Sequence, residues 1–355
     1  MKRILLFPYH PDVELLAAKA SELKGYCIAG VHSFKEDATV TEAVNGKLGC
    51  TGTFAEMLKQ CDMVLLLDGY RELRTEKYYE VIQSALAEGK QVVVTPIAEQ
   101  KLDLEAYKGN YTVLRDTLEA ELLEEKEAEP IKYTIETPVI AVFGMGKNCC
   151  KFENQILLKS ILDREGCRSV WISSNPLGAL FGGHSMPDFL FDRHLALEEK
   201  VIRFNHFVYQ ISAVQKPDVF VIGIPEGISE FAEYEYNHFG EYPLAVGSAV
   251  QVDSAVLCTY FLAELRVEGV EKLASHCREK FGLPVHMVSI GRTAFEKMQE
   301  LKQISYLFLE EEYLQKHYKA GAGQPDTYVG IWEAQRPEAA AQKIFDRLWG
   351  NPDVL

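Results

Sequence analysis

The chain has 355 residues, a formal net charge of −15, 47% hydrophobic and 25% charged residues. That composition is ordinary for a globular protein, and the length suggests two domains. The acidic balance excludes a broad nucleic-acid footprint and adsorption to anionic lipid, yet leaves room for a local positive pocket that holds a nucleotide.

The chain opens with the apolar strand Ile4–Phe7, too short for the core of a secretory signal. Eight scattered cysteines without a C-x-x-C pair agree with a reduced, cytoplasmic compartment. No apolar run has the length of a membrane span. Pro8–Asp12 breaks the strand, and Val13–Leu23 has helical periodicity. Strands follow at Tyr26–Val31, Met63–Leu67 and Gln91–Thr95. Between them lie a helix from Phe54 capped by Thr53 and an amphipathic helix Tyr78–Ala87 ended by Gly89. Alternating strands and helices imply a parallel sheet. The turn after Phe7 lacks G-x-G-x-x-G, so a nicotinamide cofactor is not expected there. The first domain reads as a Rossmann-like scaffold over residues 1–128.

Leu118–Glu129 is rich in glutamate, and residues 129–138 form an irregular linker. The second domain spans 139–355. It begins with the strand Val139–Phe143, then a Gly-rich turn and a helix over Phe152–Glu165 closed by Gly166. Strands at Ser169–Ile172, Asp218–Ile224, Ala255–Phe261 and Val285–Ile290 alternate with helices at Leu197–Gln210 and Ala339–Trp349. The predicted class is α/β: two Rossmann-like domains with parallel sheets, the second like a P-loop NTPase.

Strand, glycine turn, lysine and helix together make a phosphate site, because backbone N–H groups and the helix dipole face the turn. Gly144 and Gly146 let the backbone approach a phosphate closely, and Lys147 and Lys151 supply charge. The match to G-x-x-x-x-G-K-[ST] is loose: Cys150 precedes Lys151, Phe152 follows it, and the loop is one residue longer. The longer spacing and early lysine resemble the dethiobiotin synthetase and MinD-like branch of phosphate-loop proteins. Phe152 supplies no hydroxyl for Mg²⁺; Ser173 and Ser174, at the end of the next strand, are candidate substitutes, and Asn175 beside them is a further candidate cofactor contact. The apolar strand ending in Pro225-Glu226-Gly227 offers Glu226 to orient a metal or water. The expected cofactor is ATP or GTP with Mg²⁺. The plainer alternatives are an ordinary strand-to-helix turn and an ordinary tight turn.

A helix beginning at Cys149-Cys150 lowers a thiol pKa and makes Cys149 a nucleophile; a homodimer pools four such sulfurs for a soft metal. Alternatively both are small residues in a tight turn. His184, Asp188, Asp192 and His194 lie in one long loop, where His184 and Asp188 line a substrate pocket or, less simply, share a metal. Phe231–Tyr242 mixes tyrosines with glutamates and suits a peptide or a packed flap.

Three stretches carry a family resemblance: Gly144–Glu153 (GMGKNCCKFE), Phe181–Phe189 (FGGHSMPDF) and Ile222–Ile228 (IGIPEGI). Together they resemble the clostridial peptide maturation system proteins, over essentially the whole chain. The resemblance implies a role in ribosomal peptide natural-product biosynthesis. It also implies partners: a precursor peptide, a radical SAM enzyme and an acyl-carrier-related protein. It defines no reaction. Glu226 stands where a second glycine is expected, so a mechanism based on that turn does not transfer directly. Three readings follow: a nucleotide-binding maturation protein, a scaffold that has lost NTP chemistry, and thiol-based acyl or peptide transfer at Cys149 or Cys150.

Overall fold

The computed structural model describes residues 1–69, 74–115, 130–230, 233, 235–298 and 302–350. The chain divides into two compact units, Met1–Asp116 with Pro176–Gly183, and Thr117–Asn175 with His184–Leu355. The segment Pro176–Gly183 groups with the first unit, where Leu180 O accepts a bond from Lys24 N. The expected Leu118–Glu129 stretch lies outside the described residues, as do Phe231 and Tyr234.

The first unit holds five parallel strands: β1 (Lys2–Phe7), β2 (Tyr26–Val31), β3 (Met63–Leu66), β4 (Gln91–Val94) and β5 (Tyr111–Val113). Their order is β2-β1-β3-β4-β5. The central strands are apolar on both faces, as a sheet covered by helices on both sides requires. The first helix runs Pro11–Ala18, earlier than its periodicity indicated, because His10 caps it and Pro11 fits the first turn. Ala38–Lys47 is also helical, although Thr39, Val40 and Thr41 are weak helix formers.

The second unit is built on β6 (Val139–Gly144), β7 (Ser169–Ser173), β8 (His184–Ser185), β9 (Val219–Gly223), β10 (Ser254–Thr259), β11 (Val285–Ile290) and β14 (Tyr328–Gly330). They form one sheet in the order β14-β11-β10-β6-β9-β7-β8, every pairing parallel. A separate antiparallel ribbon pairs β12 (Thr293–Met298) with β13 (Gln303–Phe308). Both units are therefore α/β with parallel sheets. From β6 the chain runs to β7 on one side, and from β10 to β11 on the other. Connections that part in this way leave a crevice outside the carboxyl ends of the strands between them. Among the described residues no helix is long and apolar enough to cross a membrane.

Candidate functional site

The loop 144–151 stands at that crevice. All of β6 is buried, and Met145 N donates to Cys258 O at 3.0 Å, so the chain leaves the sheet still tied to β10. Left-handed Asn148 (φ 56°) and Cys150 (φ 59°) turn it into the helix Lys151–Arg164. Gly146 permits a close approach: a Cβ there would lie 2.4 Å from the Tyr260 hydroxyl, which donates to Lys147 O at 2.8 Å. Among the described residues, the backbone N–H groups of Lys147, Asn148, Cys150 and Lys151 have no acceptor.

Lys151 folds back across the loop. Its ammonium donates to Gly146 O at 2.8 Å and to Glu226 O. The Pro225-Glu226-Gly227 turn is thus fastened to the loop through its backbone. Glu226 is held at φ 55°, and a Cβ on Gly227 would lie 2.3 Å from Met145 O. Lys147 sits between two carboxylates, 3.4 Å from Glu226 Oε2 and 3.4 Å from Glu235 Oε1. Burial works against its charge, but the two carboxylates outweigh that and hold its pKa above the usual lysine value. Glu226 Oε2 has this ion pair but no hydrogen bond.

Ser173, Ser174 and Asn175 lie at the end of β7. Ser173 Oγ accepts from Asn175 N at 3.1 Å. Ser174 Oγ accepts from Gln155 Nε2 at 3.1 Å, and the same nitrogen donates to Lys151 O at 3.1 Å. Gln155 Oε1 accepts from Trp171 Nε1 at 2.8 Å and Ser174 N at 3.4 Å. Gln155 is fully buried and was not singled out in the sequence, yet it joins the loop helix to the serines. A glutamine among apolar helix positions is the signal that marks it: buried amides are kept where every bond is made.

One expectation, that of a nucleophilic Cys149, needs correction. Cys149 Sγ turns inward and donates to Gly146 O at 3.0 Å, and burial pushes its thiol pKa up, where a helix N-terminus was expected to lower it. The helix starts at Lys151, so its first turn lies beyond Cys149. His184, Asp188, Asp192 and His194 do not assemble a metal site: among the described residues no three His, Cys, Asp or Glu side chains converge. His184 lies on edge strand β8, three strands from β6, or about 14 Å at ordinary strand spacing. Its Nε2 lies 2.9 Å from Gln215 Nε2. Asp188 opens a short 3₁₀ turn, and Asp192 Oδ1 accepts from His194 N at 2.8 Å.

Glu235 belongs to the stretch expected to recognise a peptide or to form a flap over the site; the left-handed turn that follows it was not foreseen. Asn237, His238, Phe239 and Gly240 are four successive left-handed residues. Buried Asn237 holds the turn to the loop, donating to Ser229 O at 2.9 Å and Met145 O at 3.3 Å, while Tyr236 and Phe239 stack in solvent with ring centroids 5.5 Å apart.

No family model and no curated protein matches the chain. Solved structures with some likeness include a DUF1611 family protein from Anabaena variabilis, at 12% identity over 80% of this chain and 95% of that one, TM-score 0.41. A nucleotide-binding protein from Archaeoglobus fulgidus in complex with ADP shares 17% identity over 68% and 96%, TM-score 0.28. FlhF complexed with GMPPNP and Mg²⁺ shares 11% over 64% and 80%, TM-score 0.25. Likenesses this distant carry no argument about the ligand of this site.

The residues themselves test the expected cofactor. Two lysines and acceptor-free N–H groups fit a phosphate chain. The metal side fits less well. Phe152 is buried and stacks on Trp171 at 5.9 Å, so no hydroxyl follows Lys151. Ser174 is engaged with Gln155, and Glu226 with Lys147.

Proposed function

We propose that the second unit binds the phosphate chain of a nucleotide, ATP or GTP, at the loop 144–151, and binds it without efficient hydrolysis. The observation that carries this is Lys151: its ammonium is already drawn into the loop, where the backbone N–H groups of Lys147, Asn148, Cys150 and Lys151 have no acceptor among the described residues. Gly144 and Gly146 keep the turn narrow, and Lys147 is released from Glu226 and Glu235 toward the incoming phosphate. Glu226 then takes up the role of orienting water or metal at the mouth of the site. The burial of Phe152 where a hydroxyl would hold Mg²⁺ supports binding over turnover. Cys149, buried and with a raised thiol pKa, offers little support for acyl transfer.

The three motif stretches that resemble the clostridial peptide maturation proteins support a place in ribosomal peptide natural-product biosynthesis. In that setting the nucleotide sets the docking state for a precursor peptide or its modifying enzyme.

Thermal unfolding with ATP, GTP or inorganic phosphate, each with and without Mg²⁺, tests the site. A ligand at a hundred times its Kd stabilises by about 2.7 kcal/mol, and a unit of this size gains roughly 2–4 °C per kcal/mol, so a rise of roughly 5–10 °C is expected. Lys151→Ala should abolish the rise, and Lys147→Met should reduce it while leaving the Lys151 contacts intact. No rise at millimolar nucleotide in the wild type defeats the proposal and leaves the scaffold reading, which a pull-down with the precursor peptide then examines.

A further inference from the structure

Three cysteines surround the start of the Lys151–Arg164 helix, and nucleotide binding uses none of their sulfurs. Cys149 Sγ faces Gly146 O. Cys150 is half-buried, caps the helix in a left-handed conformation and points the other way: its Sγ lies 3.7 Å from Ser289 Oγ and 3.8 Å from Ser289 O, on β11. Cys258 is fully buried on β10, in register with Gly144. One amide joins the last two sulfurs. Asn154 Nδ2 lies 3.4 Å from Cys150 Sγ, 3.5 Å from Cys258 Sγ and 2.9 Å from Ser289 Oγ. Asn154 is only 1% exposed, and its Oδ1 has no hydrogen-bond partner, so the amide is incompletely satisfied in the reduced protein.

We propose that Cys150 and Cys258 form a reversible disulfide that switches off ligand binding at the loop 144–151. The effect on binding rests on the nucleotide reading; formation of the bond does not. Hydrogen peroxide is the oxidant. The Cys150 thiolate attacks one peroxide oxygen, the O–O bond breaks, and water leaves with a sulfenic acid on Cys150. The Cys258 sulfur then displaces that hydroxyl, the S–S bond forms and a second water leaves. Two thiols lose two electrons and two protons, which reduce one peroxide to two waters. Cys150 is the attacking partner because solvent reaches it. Burial, reinforced by Cys150 and Cys149, raises the Cys258 thiol pKa well above its usual value, so Cys258 is not the thiol that peroxide oxidises first. Once made, the bond ties the helix cap to the middle of the sheet. Cys150 directly precedes Lys151, so cap and lysine lose the freedom to yield to a phosphate.

The full chain is treated with hydrogen peroxide, alkylated, digested and mapped by mass. The expected product is a crosslinked Cys150–Cys258 peptide, reversed by dithiothreitol, with the ATP-induced rise in unfolding midpoint at least halved while the crosslink persists. Cys258→Ser should give no crosslink and leave Cys150 to run on to sulfinic acid. If that variant does not fold, Cys150→Ser should leave Cys258 as a thiol that alkylates only after denaturation. A Cys149–Cys150 pair instead, or free Cys150 and Cys258 after peroxide, overturns the pairing. A crosslinked protein with an unchanged ATP response overturns the switch. A reduced protein that never responds to ATP sinks the nucleotide reading and the switch together, while the crosslinked peptide alone decides the pairing.

Discussion

A methyl group added to Gly223, at the end of β9, would lie 2.2 Å from Gln155 Oε1, 2.4 Å from its Cδ and 2.6 Å from its Nε2. Those atoms form the amide that joins Lys151 O, Ser174 and Trp171. Gly223→Ala therefore has two costs. Overpacking a closed interior costs about 1–3 kcal/mol. Displacing the amide breaks the bond it accepts from the buried Trp171 N–H, at about 1–3 kcal/mol more. The sum, about 2–6 kcal/mol, corresponds to a drop in unfolding midpoint of roughly 4–24 °C for a unit of this size. The partner is a single side chain, so a double-mutant cycle isolates it. In a Gln155→Ala background the obstruction is gone, and Gly223→Ala should cost less than about 1 kcal/mol. Urea and thermal unfolding of the wild type, both single variants and the double variant give the coupling directly. Equal losses from Gly223→Ala in both backgrounds would refute the packing of Gln155 against β9.

Three other outcomes are expected. Asn237→Gly keeps the left-handed backbone but loses the bonds to Met145 O and Ser229 O, so it should destabilise by about 1–3 kcal/mol and weaken the nucleotide response, read by denaturation and by calorimetric titration. His286 is lowered from 6.5 to about 4 by burial and by the charges of Arg347 and Arg278, and lies 2.9 Å from Ser254 Oγ through Nδ1. It is neutral in the fold while the unfolded chain takes up a proton, so its contribution is present above pH 6.5 and is lost as pH falls toward 4; His286→Gln should show a smaller loss of stability over that window. Iodoacetamide should spare Cys149, Cys258 and Cys277 in the native protein, because burial raises all three thiols, Cys277 to about 12; rapid native labelling of Cys149 would restore it as a nucleophile.

Much of this architecture is legible in the chain because it is locally encoded. Val139–Phe143 and Val219–Ile222 are continuous apolar runs, which is how strands buried on both faces read, and both lie in strands of the second sheet. Gly166 follows the loop helix in the left-handed conformation its position suggested. What escaped is what distance along the chain supplies. Tyr260 reaches Lys147 O from the end of β10, and no spacing rule links the two. The ribbon Thr293–Met298 and Gln303–Phe308 escaped because neither strand alternates strictly between apolar and polar residues. The left-handed run Asn237–Gly240 escaped because Phe239 gives no warning of positive φ and such residues rarely follow one another in this conformation. Lys151 was expected beside a phosphate, but only the fold shows what it touches first, the carbonyls of Gly146 and Glu226.

The arrangement of Lys147, Lys151, Glu226 and Glu235 also bears on how fast a ligand arrives. Two cations and two carboxylates cancel, and the whole chain carries −15. An anion approaching from a distance meets no attractive field, so its encounter with the proposed site is not steered. Added salt then speeds arrival slightly by screening the repulsion of the whole molecule, the reverse of what a basic phosphate site shows. If the proposed site binds an anion, discrimination happens at contact, where a ligand must separate Lys147 from its carboxylates before it gains anything.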